Sequence, residues 1–236
     1  MPGFRPVMQR YMEQVRRLGD EFKILLAEAL DLAPTAMSHL FDEASNDRLM
    51  LAKYPVPQSL PDEDDDTVFK GLDTHKDGSF LTFLLPGTTH AGLSAQNKSG
   101  EWIPVPPLPG HLIVNIGRQL EALTMGVCKA TTHRVSLHPR DYRDENGQSL
   151  GDRYSFPYFQ VLGLDLTPET ASLQIPTHIA DLVKDVTTKT DAETFVQQYF
   201  KNGVGRGVLA ARAMRHPLTA QRFYPGLLEE LKAGQA

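Results

Sequence analysis

The chain has 236 residues, 41% of them hydrophobic and 22% charged, a balance that supports a full buried core in a globular protein. Its formal net charge of -5, with no Lys/Arg cluster interleaved with aromatics, argues against nucleic acid as a partner. A lone cysteine, Cys128, excludes an intramolecular disulfide, and no apolar run reads as a signal peptide or a bilayer span; the expected setting is the cytoplasm, with no membrane and no obligate protein partner.

From Met8 the apolar positions Tyr11, Val15, Leu18, Phe22, Leu25 and Ala29 recur at alternating steps of three and four. That spacing predicts a long helix with one buried stripe, ending near Pro34. Leu49 to Pro57 reads as a short strand closed by prolines, and the acidic run from Asp62 to Asp66 as a solvated loop, because five consecutive acids lack the spacing of a calcium loop. Between Lys70 and Gln160 short β-like segments follow one another: Phe80 to Leu85, Glu101 to Val105, His111 to Ile116, Thr132 to His138 and Tyr154 to Phe159. Many short strands with close turn signals indicate a sandwich or barrel instead of βαβ units. Pro139 to Gly151 looks like a hairpin tip. Beyond Pro168 helices are expected at Ile179 to Val186, Ala192 to Phe200, Val208 to Met214 and Leu227 to Leu231, with Gly203 to Gly207 as a flexible connector.

The chemistry is carried by scattered residues. Side chains two apart on an extended segment share a face, so His75 and Asp77 can chelate one ion while Lys76 looks elsewhere. The same period puts His133 on a face with apolar Val135 and Leu137, where a buried imidazole needs a partner. Two imidazoles and a carboxylate are a set that holds ferrous iron on one face and leaves the other open. Arg153 and Ser155 share a face in turn. A buried arginine requires an anion, and its planar fork suits a carboxylate such as the far end of a dicarboxylic acid, with Tyr54 as a further donor. His39, His90, His111, His138, His178 and His216 lack such company and read as surface or structural.

These residues resemble the iron(II)- and 2-oxoglutarate-dependent dioxygenases of the isopenicillin N synthase-like branch. The resemblance runs from about Leu49 to Phe159, through Tyr-Pro-Val-Pro at Tyr54, His75-Lys-Asp77, and Gly-Glu-Trp-Ile-Pro-Val-Pro-Pro-Leu-Pro-Gly-His-Leu-Ile-Val-Asn-Ile-Gly from Gly100 to Gly117. It continues in Leu-Glu-Ala-Leu-Thr from Leu120, Lys-Ala-Thr-Thr-His-Arg-Val and Arg-Tyr-Ser-Phe-Pro-Tyr-Phe. It implies a mainly β fold with flanking helices, a double-stranded β-helix or cupin-like jelly roll. Residues 1–48 would be a helical buttress, 49–165 the core and 166–236 a helical extension. It implies His75, Asp77 and His133 as Fe(2+) ligands. Arg153, Ser155 and Tyr54 would hold 2-oxoglutarate, and Phe159 would line the substrate pocket.

The function implied is oxidation of a small organic molecule by hydroxylation, desaturation or cyclisation, in secondary metabolism, consuming O2 and 2-oxoglutarate and releasing succinate and CO2. Arg118 stands where the family generally has Asp, and Met125 where an Asn commonly precedes Gly126. Much of the family's N-terminal region has no counterpart here. The competing expectation is therefore a shortened, non-catalytic jelly-roll binding protein that keeps the metal site.

Overall fold

The computed structural model describes residues 1–42, 46–62, 64–183 and 201–233. The long helix α1 spans Phe4–Ala29. Its inward stripe starts as the spacing predicts, with Val15 buried and Tyr11, Leu18 and Phe22 half-buried, and then departs: Leu25 is 58% exposed while Ala27 and Leu30 are buried. Alternating steps of three and four average 3.5 residues, and against a 3.6-residue turn that pattern drifts by about 20° per heptad. The predicted stripe has rotated out by Leu25. The helix closes where Asp31 enters the left-handed region (φ 55°) and the Leu32 amide donates to the Ala27 carbonyl at 2.9 Å.

Two compact units can be distinguished. The first comprises residues 1–21, 47–120 and 128–160, and contains all nine strands found among the described residues. They are β1 (Arg48–Leu49), β2 (Ala52–Tyr54), β3 (Phe69–His75), β4 (Leu81–Pro86), β5 (Leu93–Gln96), β6 (Trp102–Pro104), β7 (Ile113–Ile116), β8 (His133–Leu137) and β9 (Arg153–Gln160). One antiparallel sheet has the order β1-β9-β4-β7, with β2 also on β9, and the other has the order β3-β8-β5-β6. Apart from the local pair β5–β6, the partners are distant in sequence, and all are antiparallel, the double-stranded β-helix arrangement expected. Leu93, Val135, Leu137 and Tyr142 form a buried cluster, packed on by Tyr54, Phe69, Leu84 and Ile113. The segment after β8 is a hairpin tip as predicted: Arg143 bridges Ser149, and the Asp144 carboxylate accepts the amides of Asn146 and Gln148.

The strands β3 and β5 escape the sequence reading. β3 carries Gly71 and Asp73 and shifts register twice against β8, so alternation is blurred, and β5 has only four residues. Gly71 is required for another reason: a Cβ there would lie 2.0 Å from the Val135 carbonyl oxygen.

The second unit comprises residues 22–46, 121–127 and 161–236. The short helix α2 (Arg118–Leu123) runs into its middle segment, and its C-terminal part holds α3 (Thr177–Ala180), α4 (Val204–Arg215), α5 (Pro217–Phe223) and α6 (Pro225–Ala233). The glycine-rich stretch expected as a connector is instead the start of α4. Gly203 takes φ 88° ahead of it, and at Gly205 a side chain would meet the Leu164 carbonyl oxygen at 2.7 Å, so these glycines permit close packing. Ala213, Ala220 and Leu228 join the last three helices. The helix expected from Ile179 is only α3 followed by a 3₁₀ turn at Asp181–Val183; its remainder, and Ala192 to Phe200, lie outside the described residues. Asp62, Asp64, Asp65 and Asp66 are exposed, as a solvated loop requires, and Glu63 lies outside the described residues. Among the described residues no helix is long and apolar enough to cross a membrane.

Candidate metal and anion site

Antiparallel pairing of β3 with β8 makes His75 and His133 cross-strand partners, with ring centroids 4.3 Å apart. β3 ends at His75, so Asp77 arrives through the following turn and not by strand pleat. That turn is fastened by its backbone: the Arg118 amide donates to the Asp77 carbonyl at 2.8 Å, and the Gln119 amide to that of Ser79 at 3.0 Å. Asp77 Oδ1 then lies 3.5 Å from His75 Nε2 and 3.8 Å from His133 Nε2. One ligand atom from each of the three residues falls within 4.8 Å of the others.

Both imidazoles are oriented by their other nitrogen. His75 Nδ1 donates to the Asp73 carbonyl at 2.7 Å and His133 Nδ1 to the Thr131 carbonyl at 2.9 Å, so each ring turns Nε2 toward Asp77, as a lone pair when the ring is neutral and as an N–H donor when it is protonated. Two lone pairs and a carboxylate facing one another suit a cation. The far oxygen of Asp77, Oδ2, accepts from Thr82 Oγ1 at 2.7 Å and Asn115 Nδ2 at 2.9 Å, and Thr82 is further tied to Ser79 Oγ at 2.9 Å. Thr82 and Asn115 are themselves cross-strand partners in β4 and β7 and thus share a face. Burial pushes the Asp77 pKa up, but contact with His75, the hydrogen bonds from Asn115 and Thr82, and the charge His133 can carry outweigh it and hold it at about 2. The group is ionised at neutral pH and ready to coordinate. The residues present fit a divalent metal with three protein ligands on one side.

Arg153 and Ser155 alternate with half-buried Tyr154 on β9 and are each only 6% exposed. Arg153 pairs in register with Tyr54 of β2, and its guanidinium lies over the Tyr54 ring, 4.7 Å from the centroid. Its Nε donates to the Ala91 carbonyl at 3.3 Å, while Nη1 is buried with no hydrogen-bond partner among the described residues. Burial depresses the Arg153 pKa against the opposing effect of Tyr54, without threatening its charge. A cleft opens here, lined by Arg153, Ser155, Thr88, His90 and apolar residues that include Leu84, Leu93 and Ile113. A buried guanidinium with a spare N–H beside a hydroxyl fits a carboxylate.

Phe159 shares the β9 face of Arg153 and Ser155 but does not line this cleft; Arg48 stacks on its ring at 5.4 Å. The sequence reading missed Thr82 and Asn115, although Asn115 is signalled by a polar residue inside the apolar run Leu112-Ile-Val-Asn-Ile116. His90, expected at the surface or in a structural role, is not at the surface: it is 3% exposed, bonds the Gly151 carbonyl and lines the cleft.

Residues 46–161 match the family model of the 2OG-Fe(II) oxygenase superfamily. Over 236 residues the chain is 41% identical to a 2-oxoglutarate-dependent dioxygenase of Gibberella zeae, covering 100% of this chain and 61% of that relative. It is 35% identical over 242 residues to the 2-oxoglutarate-dependent dioxygenase frbJ of a Dothideomycetidae species, covering 100% of this chain and 62% of that one. The chain thus spans about three fifths of the length of these relatives. Among solved structures, a full-length Neurospora crassa protein in complex with alpha-KG and thymine superposes with a TM-score of 0.59 at 23% identity, over 70% of this chain and 47% of that one. JOX2 in complex with 2OG, Fe and JA gives 0.58 at 22% identity, over 86% and 54%. Those two likenesses speak for the fold alone, and the family-model match assigns residues 46–161 to the 2OG-Fe(II) oxygenase superfamily.

Proposed function

We propose that the protein is an Fe(II)- and 2-oxoglutarate-dependent oxygenase that oxidises a small organic molecule in secondary metabolism. The observation that carries this reading is the meeting of ligand atoms from His75, Asp77 and His133, on the same β framework as a buried arginine with one nitrogen unpartnered among the described residues. His75, Asp77 and His133 would hold the metal; Arg153, Ser155 and Tyr54 would hold the far carboxylate of 2-oxoglutarate. The oxygenase core of this reading runs over residues 49–165. The cytoplasm suits it, since a reducing interior keeps iron ferrous.

Iron with 2-oxoglutarate and O2 supplies, when bound, an oxidation of unactivated carbon coupled to release of succinate and CO2. The protein's own residues position. The carbonyls of Asp73 and Thr131 fix the histidine tautomers and rotamers, and Thr82 and Asn115 hold Asp77 by the oxygen that faces away from the histidines. Arg153 and Ser155 set the direction of a dicarboxylate by gripping one end, which leaves its other end free to point elsewhere. Apolar walls at Leu84, Leu93 and Ile113 keep the cleft low in water and strengthen that grip.

The test is co-substrate turnover. Purified protein supplied with ferrous iron, O2 and 2-oxoglutarate is expected to release succinate, more so with an accepted substrate, and His133→Ala is expected to release none. Equal succinate from wild type and His133→Ala, or none from either across a broad substrate panel, would overturn the assignment.

A further inference from the structure

His90 is the one buried imidazole that the proposed chemistry leaves unused. It lies after β4 and is 3% exposed; its Nε2 is 3.0 Å from the Gly151 carbonyl oxygen. A carbonyl can only accept, so Nε2 carries the proton. Nδ1 is buried and has no hydrogen-bond partner among the described residues. The next residue, Ala91, gives its carbonyl to Arg153 Nε, so His90 and Arg153 belong to one fastened corner of the cleft. That corner therefore holds two unsatisfied polar atoms: a guanidinium nitrogen that must donate, and an imidazole nitrogen that accepts when neutral and donates when protonated. Leaving both buried and unpaired costs free energy unless a ligand completes them.

We propose that His90 is a further contact to the distal carboxylate of 2-oxoglutarate and takes up a proton as the co-substrate binds. The inference rests on the reading of the Arg153 cleft as the 2-oxoglutarate site. A neutral Nδ1 would turn a lone pair toward a carboxylate, and a protonated one gives it a charge-assisted hydrogen bond beside those of Arg153 and Ser155.

The surroundings fit a group that changes charge on binding. Burial holds the His90 pKa below the ordinary histidine value; the bond to Gly151 opposes this, Arg153 lowers it further, and Asp141 and Asp152 raise it. Tyr142 packs edge-on at 5.5 Å between centroids and contributes no charge at neutral pH. An arriving carboxylate reverses the influence of Arg153 by neutralising it, and attracts the imidazolium directly. The sign follows. Binding is tightest below the pKa of free His90, weakens by up to about tenfold per pH unit between the free and bound values, and is level above the bound value.

The test is calorimetric titration of 2-oxoglutarate into protein saturated with ferrous iron, without oxygen, between pH 6 and 8.5 in Pipes and in Tris. Their different ionisation enthalpies reveal the protons exchanged. Wild type is expected to take up a proton, approaching one per co-substrate within the window. His90→Gln keeps an amide for the Gly151 carbonyl but places nothing at Nδ1. It is expected to take up none and to bind several-fold more weakly at pH 6.5, with ferrous iron affinity unchanged. As a measurement independent of any variant, ¹⁵N-histidine spectra of Zn(II)-loaded wild type should show one ring nitrogen become an N–H on adding 2-oxoglutarate. No uptake by wild type, the same uptake in His90→Gln, or no such change in the spectra would each overturn the inference. Arg153→Met separates it from the reading beneath: if that variant binds 2-oxoglutarate like wild type, the site itself is misassigned, whereas its loss beside a pH-independent wild type removes His90 alone.

Discussion

Around Asp77 the polar atoms are tied to protein, whereas in the Arg153 cleft they are left open. Both histidines spend Nδ1 on a backbone carbonyl and Asp77 spends Oδ2 on Thr82 and Asn115, so what remains, two Nε2 atoms and Oδ1 of Asp77, is turned inward on itself. At the cleft, Arg153 Nη1 and His90 Nδ1 are buried without hydrogen-bond partners among the described residues. The first region is preorganised by hydrogen bonds around it, as a metal site must be if its ligands are not to collapse on one another. The second is held by packing and by the stacked Tyr54, and its unsatisfied atoms describe the ligand: an anion able to accept from several donors at once.

The contrast can be broken from either side. The largest effect is expected from Asp77→Ala, which removes the common neighbour of the two imidazoles. Metal affinity should fall by more than about a hundredfold, beyond what loss of an outer hydrogen bond gives, when read by equilibrium dialysis with metal analysis. Next is Arg153→Lys, which keeps the charge and loses the fork. Affinity for 2-oxoglutarate should drop by about 30-fold or more while iron affinity is retained, because truncating one partner of a buried charged pair costs about 2–5 kcal/mol. Equal loss of both ligands would dissolve the distinction between the regions.

Smaller effects sharpen it. Asn115→Ala removes a support of Asp77 without touching the metal, and iron affinity should fall by about 10- to 100-fold with the Arg153 cleft unaffected. Gly71→Ala drives a methyl into the Val135 carbonyl and forces β3 from β8, the pair that brings His75 to His133. Unfolding in denaturant should show a loss of about 1–3 kcal/mol, and the metal site should loosen more than the cleft. The mildest is Tyr158→Phe. It deletes the 2.6 Å hydrogen bond from the buried hydroxyl to Asp47 for about 1–3 kcal/mol, and should leave both ligand affinities alone.

The division between what the sequence discloses and what it hides has physical causes. His75, Asp77 and His133 can be singled out because two imidazoles and a carboxylate together form a metal-ligand set, and Arg153 with Ser155 because a period of two puts both on one face. The strands Leu81–Pro86, His133–Leu137 and Arg153–Gln160 alternate or run apolar and are legible. β3 is not, since its register shifts erase the period. Thr82 and Asn115 become neighbours only through the β4–β7 pairing, a long-range event that local spacing does not encode. His90 is hidden for a related reason: one imidazole in Gly-Thr-Thr-His-Ala-Gly resembles an exposed turn until β9 supplies Arg153 beside it. The glycines before α4 mislead because glycine marks close approach as readily as it marks a break.

The central claim is that a ferrous ion and a dicarboxylate occupy this framework together. Anaerobic addition of ferrous iron and then 2-oxoglutarate, followed by visible absorption, addresses it most directly. A charge-transfer band should develop with wild type only when both are present, and should vanish in Asp77→Ala and demand much more 2-oxoglutarate in Arg153→Lys. Absence of any band with wild type at saturating concentrations, or one undiminished in Asp77→Ala, would contradict the account.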